Sequence, residues 1–317
     1  MRLVRQSDKR AVKGMRGPRA RHGRARAGLA VLAACAVASG CAAPDGKDAV
    51  EPAHGQQPLK APPARALDDY AGRLLAAQAA RVAAAKRWRL AEPPLAAPPA
   101  PAKKPVIKVR KGFEVDGQED LDLPPVFTTV PTTDKVVFLT IDDGAEKDPA
   151  FLRMMSELKI PYTAFLSNFL VKNDYAYFRK MQALGNGVNN HTLTHPYLPG
   201  LSYAGQRREI CDMQDIMRKQ FGKRPVLFRP PFGNYNQDTL RAAGSCGIKY
   251  APIWNEEAFV DHIEWREEDK QLRPGDIILT HFRGRDEWKG TMPDMVRRLM
   301  KYVTGKGYAV ARLEDYL

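Results

Sequence analysis

The sequence predicts a barrel-like α/β domain over residues 135–317, and three observations carry that prediction. Short apolar runs at 136–141, 162–166, 226–229, 249–253, 276–280 and 308–311 alternate with helical stretches. That order builds parallel strands joined by crossover helices. The run from Lys135 to Ile141 is nearly continuously apolar, as expected of a strand covered on both faces. Near the C-terminus, Met292, Met295, Val296, Leu299, Met300 and Val303 recur with the 3.6-residue period of a single helix face. About 180 residues are enough for one complete core.

The first 134 residues read differently. Of the formal net charge of +14, residues 1–26 carry +9, from ten Lys/Arg against one Asp. From residue 135 onward, 27 basic residues face 23 acidic ones, a net +4. The basic N-terminus runs straight into the apolar stretch Ala27–Ala38. A charged segment followed by a short apolar core is an export signal, so the charge argues against a nucleic-acid partner. Roughly 12 apolar residues are too few to span a bilayer. Ala38-Ser39-Gly40-Cys41 then resembles a bacterial lipoprotein box. It predicts a signal peptide over 1–40 and a lipid anchor at Cys41 on the outer face of the cell membrane. Secretory cleavage nearby, with Cys41 incidental, is the alternative. Residues 41–134 read as a Pro/Ala-rich tether with a helix at 66–90.

The chemistry-bearing residues fall in order within the domain: Asp142-Asp143-Gly144, His191 and His195, Arg229-Pro230-Pro231-Phe232, and His281. Asp142 and Asp143 end an apolar strand, where α/β folds place their chemistry. One can complete a His-His-Asp metal site while the other, unbound, takes a proton from water. His191 and His195, four apart, share a face if the segment is helical or folded like a helical turn. A guanidinium at 229 pairs with the proton-accepting carboxylate and keeps it ionised. The stiff Pro-Pro segment presents the Phe232 N–H as an oxyanion donor. His281 ends another apolar run and suits a general acid. Each motif alone has a plain structural reading, as a turn, a cap or a satisfied loop histidine. The series is what carries weight.

The series resembles the polysaccharide deacetylase family, the NodB-homology domains of carbohydrate esterase family 4. Thr140-Ile141-Asp142-Asp143-Gly144, His191 to Pro196, Arg229-Pro230-Pro231-Phe232 and Leu279-Thr280-His281 match four of its motifs. The resemblance covers 135–317 and implies a distorted, incomplete (β/α) barrel. It implies Asp142 as general base and Asp143, His191 and His195 as ligands of one divalent ion. Zinc suits that set, with cobalt or nickel possible. Arg229 would support Asp142, Phe232 would hold the oxyanion, His281 would be the general acid, and Leu279 would line an acetyl pocket. Trp254 is a candidate sugar-stacking residue. The family's fourth motif departs: its Asp-Trp pair is missing after Trp254, and Asp261 or Glu257 is the substitute.

The implied reaction is metal-dependent removal of N-acetyl groups from a polysaccharide. Peptidoglycan comes first among substrates, then chitin oligomers or O-acetylated xylan. The alternative is a weak or inactive glycan-binding lipoprotein of the same fold. Cys211 and Cys246 form an even pair in an oxidising compartment and are expected to join. The chain is expected to be a monomer.

Overall fold

The computed structural model describes residues 64–107 and 123–317. The predicted signal segment, Cys41 and the tether up to residue 63 lie outside the described residues, as do 108–122. Helix α1, Ala64–Arg87, buries only its last turns. Ala84, Ala85 and Trp88 pack into the main core, and the Trp88 indole donates to Glu157 at 2.6 Å. The Pro/Ala-rich stretch beyond it is not free along its length. Leu95 bridges to Ala309, and Lys104 donates to the carbonyl of Asp315.

The remaining elements follow in order: β1 Val126–Phe127, β2 Val136–Asp143, α2 Pro149–Leu158, β3 Thr163–Leu166, α3 Asn168–Val171, α4 Tyr175–Ala183 and β4 Gly187–Asn190. Then come α5 Tyr203–Phe221, α6 Gln237–Ser245, β5 Ala251–Pro252, β6 Glu256–Ala258, β7 Ile263–Trp265, β8 Ile277–His281, α7 Met292–Gly305 and β9 Ala309–Ala311. The main sheet runs β4-β3-β2-β8-β6-β7, with β9 also on β2; all its pairs are parallel except β6–β7.

Regular pairing stops at β4, but single bridges carry the ring onward. Asn190 bridges to Phe228, Leu227 to Tyr250, β5 pairs with β1, and Thr129 bridges back to Asp276 beside β8. The result is an α/β barrel that is regular on one side and reduced to isolated bridges on the other. The expected strand at 226–229 is therefore only a pair of bridges. Pro225, Pro230 and Pro231 bracket it, and Pro252 sits in its neighbour. A proline has no N–H to give a ladder.

Alternation along the strands sorts side chains between two cores. On β2, Val136 and Phe138 face the barrel interior with Phe165, Ile277 and Leu227, while Val137, Leu139 and Ile141 face the helices. On β8, Ile277 faces inward and Ile278 outward. Period two then puts Thr140 and Asp142, and Leu279 and His281, above the inner core at the C-terminal mouth. Outside, α2, α4, α5 and α7 cover the sheet with buried Phe151, Met154, Phe178, Met213, Met295 and Leu299.

Candidate metal centre and catalytic cleft

By strict alternation Asp143 would point into the helix layer. It does not, because its φ is +77°, a left-handed turn at the strand end. Thr192, His195 and Phe232 also have positive φ, at +71°, +60° and +61°. Such backbone costs about 1–3 kcal/mol per residue and persists only where its surroundings enforce it. Four strained non-glycine residues within the predicted motifs mark this mouth as the place where geometry overrides local preference.

The two histidines do not ride a helix. His191 leaves β4 into an irregular loop, and the left-handed Thr192 and His195 fold that loop so the rings meet edge to face at 4.9 Å. The i, i+4 spacing therefore works through two backbone reversals and not through a helical turn. The His191 Nδ1 lies 2.7 Å from the Arg229 carbonyl. A carbonyl only accepts, so the proton sits on Nδ1 and the Nε2 lone pair is free. That Nε2 is 3.6 Å from Asp143 Oδ1, and His195 Nε2 is 3.3 Å from the same oxygen. Burial pushes the His191 imidazole down to about 3, which keeps it neutral.

These three residues form a group whose ligand atoms all lie within 4.8 Å of one another. Asp143 Oδ1 is buried with no hydrogen-bond partner. An orphaned carboxylate oxygen beside two imidazole lone pairs is costly unless a cation completes the set. Ligand bonds of about 2.0–2.1 Å in a tetrahedron give edges of ~3.4 Å, close to the spacings seen here, so the donor set fits a small divalent ion.

Asp142, adjacent to this trio, is anchored by Arg229. The guanidinium is fully buried and donates to Asp142 Oδ1 and Thr140 Oγ1, both at 2.8 Å, and to the Pro252 carbonyl at 2.9 Å. It also lies over the Phe165 ring at 4.4 Å and the Trp254 ring at 5.6 Å. Burial pushes the Asp142 carboxyl up, and the adjacent Arg229 charge opposes that rise. Oδ2 of Asp142, not used by Arg229, is 3.6 Å from His191 Nε2. The Asp142 carboxylate thus has one anchored oxygen and one facing the cleft.

On the neighbouring strand β8, where His281 is the register partner of Asp142, His281 Nδ1 lies 3.3 Å from Glu257 Oε1 on β6. Asp261, the other candidate for the missing aspartate, is exposed and pairs with His262 at 2.7 Å. Burial alone would lower the His281 pKa. The Glu257 hydrogen bond and the charges of Asp142 and Asp143 outweigh it, and the pKa is raised. Leu279 is buried next to His281 on β8. Phe232 is exposed, its ring 4.6 Å from His195. Trp254 is half-buried between two core clusters and backs Gly233, so much of its ring is structural.

Two features at this mouth were not read from the sequence. Thr140 shares Arg229 with Asp142, and Arg283 donates to Asp143 Oδ2 at 2.6 Å. Thr140 was legible by parity, two residues before Asp142 on the same face. Arg283 carries no such signal. Away from the site, Cys211 in α5 and Cys246 after α6 are disulfide-bonded, with Cα atoms 5.0 Å apart.

An α/β barrel with an Asp-His-His group and a separately anchored aspartate at its mouth defines a class, the hydrolases built on a candidate metal centre. The chain belongs to the polysaccharide deacetylase family, whose model matches residues 129–251. It is 40% identical over 207 residues to an uncharacterized protein of Streptomyces coelicolor, covering 64% of this chain and 82% of that one. It is 31% identical to the peptidoglycan-N-acetylmuramic acid deacetylase PdaC of Bacillus subtilis, covering 60% of this chain but only 41% of that protein. Against the peptidoglycan-N-acetylglucosamine deacetylase of Bacillus cereus the identity is 26%, covering 55% and 88%. In fold it resembles PdaA of B. subtilis, a family 4 carbohydrate esterase (TM-score 0.51, 22% identity, covering 65% and 94%). It equally resembles a family pseudoenzyme from Bacillus anthracis (TM-score 0.52, 20% identity, covering 61% and 69%).

Proposed function

We propose that this protein removes N-acetyl groups from a cell-envelope polysaccharide, using a divalent ion, zinc by preference, held by Asp143, His191 and His195. The observation that carries the reading is the division of labour between adjacent aspartates. Asp143 offers an unpartnered oxygen to two imidazoles, while Asp142 is anchored by Arg229 outside that set. A molecule that only bound glycan would have no use for the second, costly buried carboxylate.

When bound, the ion would supply Lewis acidity and lower the pKa of a water toward neutrality. The chain supplies the rest. Asp142 Oδ2 accepts the proton of the attacking water, with Arg229 holding the carboxylate in orientation. The Phe232 N–H donates to the oxygen on which charge develops. His281, charged and steadied by Glu257, returns a proton to the departing amine nitrogen. Leu279 closes the space beside the acetyl methyl. Glu257 takes the place of the family's missing aspartate, which supports turnover over the inactive glycan-binding reading.

Peptidoglycan is the favoured substrate, ahead of chitin oligomers and O-acetylated xylan. The activities named for PdaC and the B. cereus relative support placing peptidoglycan first. A lipidated Cys41 would hold the domain at the outer membrane face as a monomer. Among the described residues, no helix is long and apolar enough to cross a membrane. Acetate release from N-acetylated peptidoglycan, chitin oligomers and acetylated xylan ranks the substrates. Release from xylan alone would refute the amide assignment. Mass spectrometry of the mature N-terminus checks the anchor: a free terminus beyond Cys41 excludes it.

A further inference from the structure

We infer that Arg283 is a positioning residue for Asp143, an inference that rests on the metal-site reading above. Arg283 lies outside every motif read from the sequence, two residues beyond His281 where the chain leaves β8. Its Nη2 donates to Asp143 Oδ2 at 2.6 Å, while its Nε is held by Glu287 Oε2 at 2.8 Å. The pair is shielded: the Asp143 side chain is 4% exposed and that of Arg283 25%.

The consequence lies in how the two oxygens of Asp143 are divided. Oδ2 is committed to the guanidinium, whereas Oδ1 has no hydrogen-bond partner and faces both imidazoles. An unsupported carboxylate turns easily about its last torsion, which is broad and nearly two-fold. It would then offer either oxygen, or both, to an ion. A braced arginine removes that freedom and leaves one oxygen for ligation.

The segment carrying Arg283 is itself pinned. The Glu146 N–H donates to the Phe282 carbonyl at 3.0 Å, and the Trp288 N–H to the Gly284 carbonyl at 2.8 Å. The Glu146 carboxylate fills the space a Cβ at Gly284 would need, 2.1 Å from that position. Repulsion between the guanidinium and an incoming cation works against binding. Glu287, paired with the Arg283 Nε at 2.8 Å, offsets that guanidinium charge.

The test is Zn²⁺ affinity, measured by competition with a chromophoric chelator, for wild type, Arg283→Lys, Arg283→Met and Glu287→Gln. The visible spectrum of each Co²⁺-loaded protein is recorded alongside. Arg283→Met should bind Zn²⁺ about 10–100-fold more weakly. Its Co²⁺ bands should move and weaken as a second carboxylate oxygen enters, with Arg283→Lys and Glu287→Gln intermediate. Matching melting curves of the metal-free proteins separate this from a folding defect; should Arg283→Met fail to fold, the two milder variants carry the same comparison. An Arg283→Met affinity within two-fold of wild type with an unmoved spectrum, or a tighter one, overturns the inference alone. A wild type that binds no Zn²⁺ removes the metal-site reading and this inference with it.

Discussion

Asp142 and His281 are register partners on the adjacent strands β2 and β8, and each has a charged neighbour of its own. For His281 that neighbour is Glu257, at 3.3 Å. The raised pKa keeps the imidazole charged above its ordinary value, so the acid proposed for the leaving amine persists to higher pH. The sign for folding is the same: this contribution is present below the ordinary histidine pKa and is lost as pH rises through the raised value. Glu257→Gln should therefore move the alkaline limb of the kcat profile to lower pH, because the raising charge is gone. A limb that stays in place would show that Glu257 does not charge His281. Arg229 presents the larger energetic stake, since it is fully buried with Asp142 as its only ionised hydrogen-bond partner among the described residues. Arg229→Met should cost about 3–5 kcal/mol of stability in urea unfolding, because it leaves the Asp142 charge buried and uncompensated. A loss below about 1 kcal/mol would mean that the pair is already solvated.

Among elements, those with a clean apolar signal were the legible ones. β2, β3, β8 and β9 fall within a residue or two of their apolar runs, and α7 buries Met292, Met295, Val296, Leu299, Met300 and Val303 as its period requires. β4 and β6 were not read, because Asn189-Asn190 and Glu256-Glu257 look like loop sequence. Asn189 donates to Glu314 at 2.6 Å and Asn190 to the Ile210 carbonyl at 3.0 Å, so polar strands are tolerated inside. The site residues themselves were legible from motif order. Their geometry was not, because it depends on left-handed turns at Asp143, Thr192 and His195, which no sequence pattern marks and which the β-branched Thr192 disfavours. At this scale the Cys211–Cys246 bond ties α5 to α6 across 35 residues of chain. Replacing both by Ser should cost about 3–4 kcal/mol by loop entropy, a fall in Tm on the order of 10 °C. An unchanged Tm would mean that the unfolded chain is already restricted there without the bond.

At the scale of the whole molecule, the mouth couples folding, pH and metal. His191 must be neutral to stay buried, and the proposed ion would need the same neutral ring. Its pKa of about 3 lies well below the ordinary histidine value, so the unfolded chain binds a proton that the folded one refuses. In the metal-free protein the His191 contribution to stability should be whole above about pH 6.5 and be lost steadily as pH falls toward that depressed value. Urea midpoints of the chelated protein across that range check this, and His191→Gln should flatten the slope. A midpoint that ignores pH would place the His191 ring in solvent. The adjacent aspartates are proposed to do different work, and one paired measurement tests that division. Bound Zn²⁺ and acetate release from N-acetylated peptidoglycan are measured together, for wild type and Asp142→Asn. The variant should keep its zinc and lose about 10²–10⁴-fold in release. A variant that loses its zinc, or one that retains wild-type release, would contradict that division.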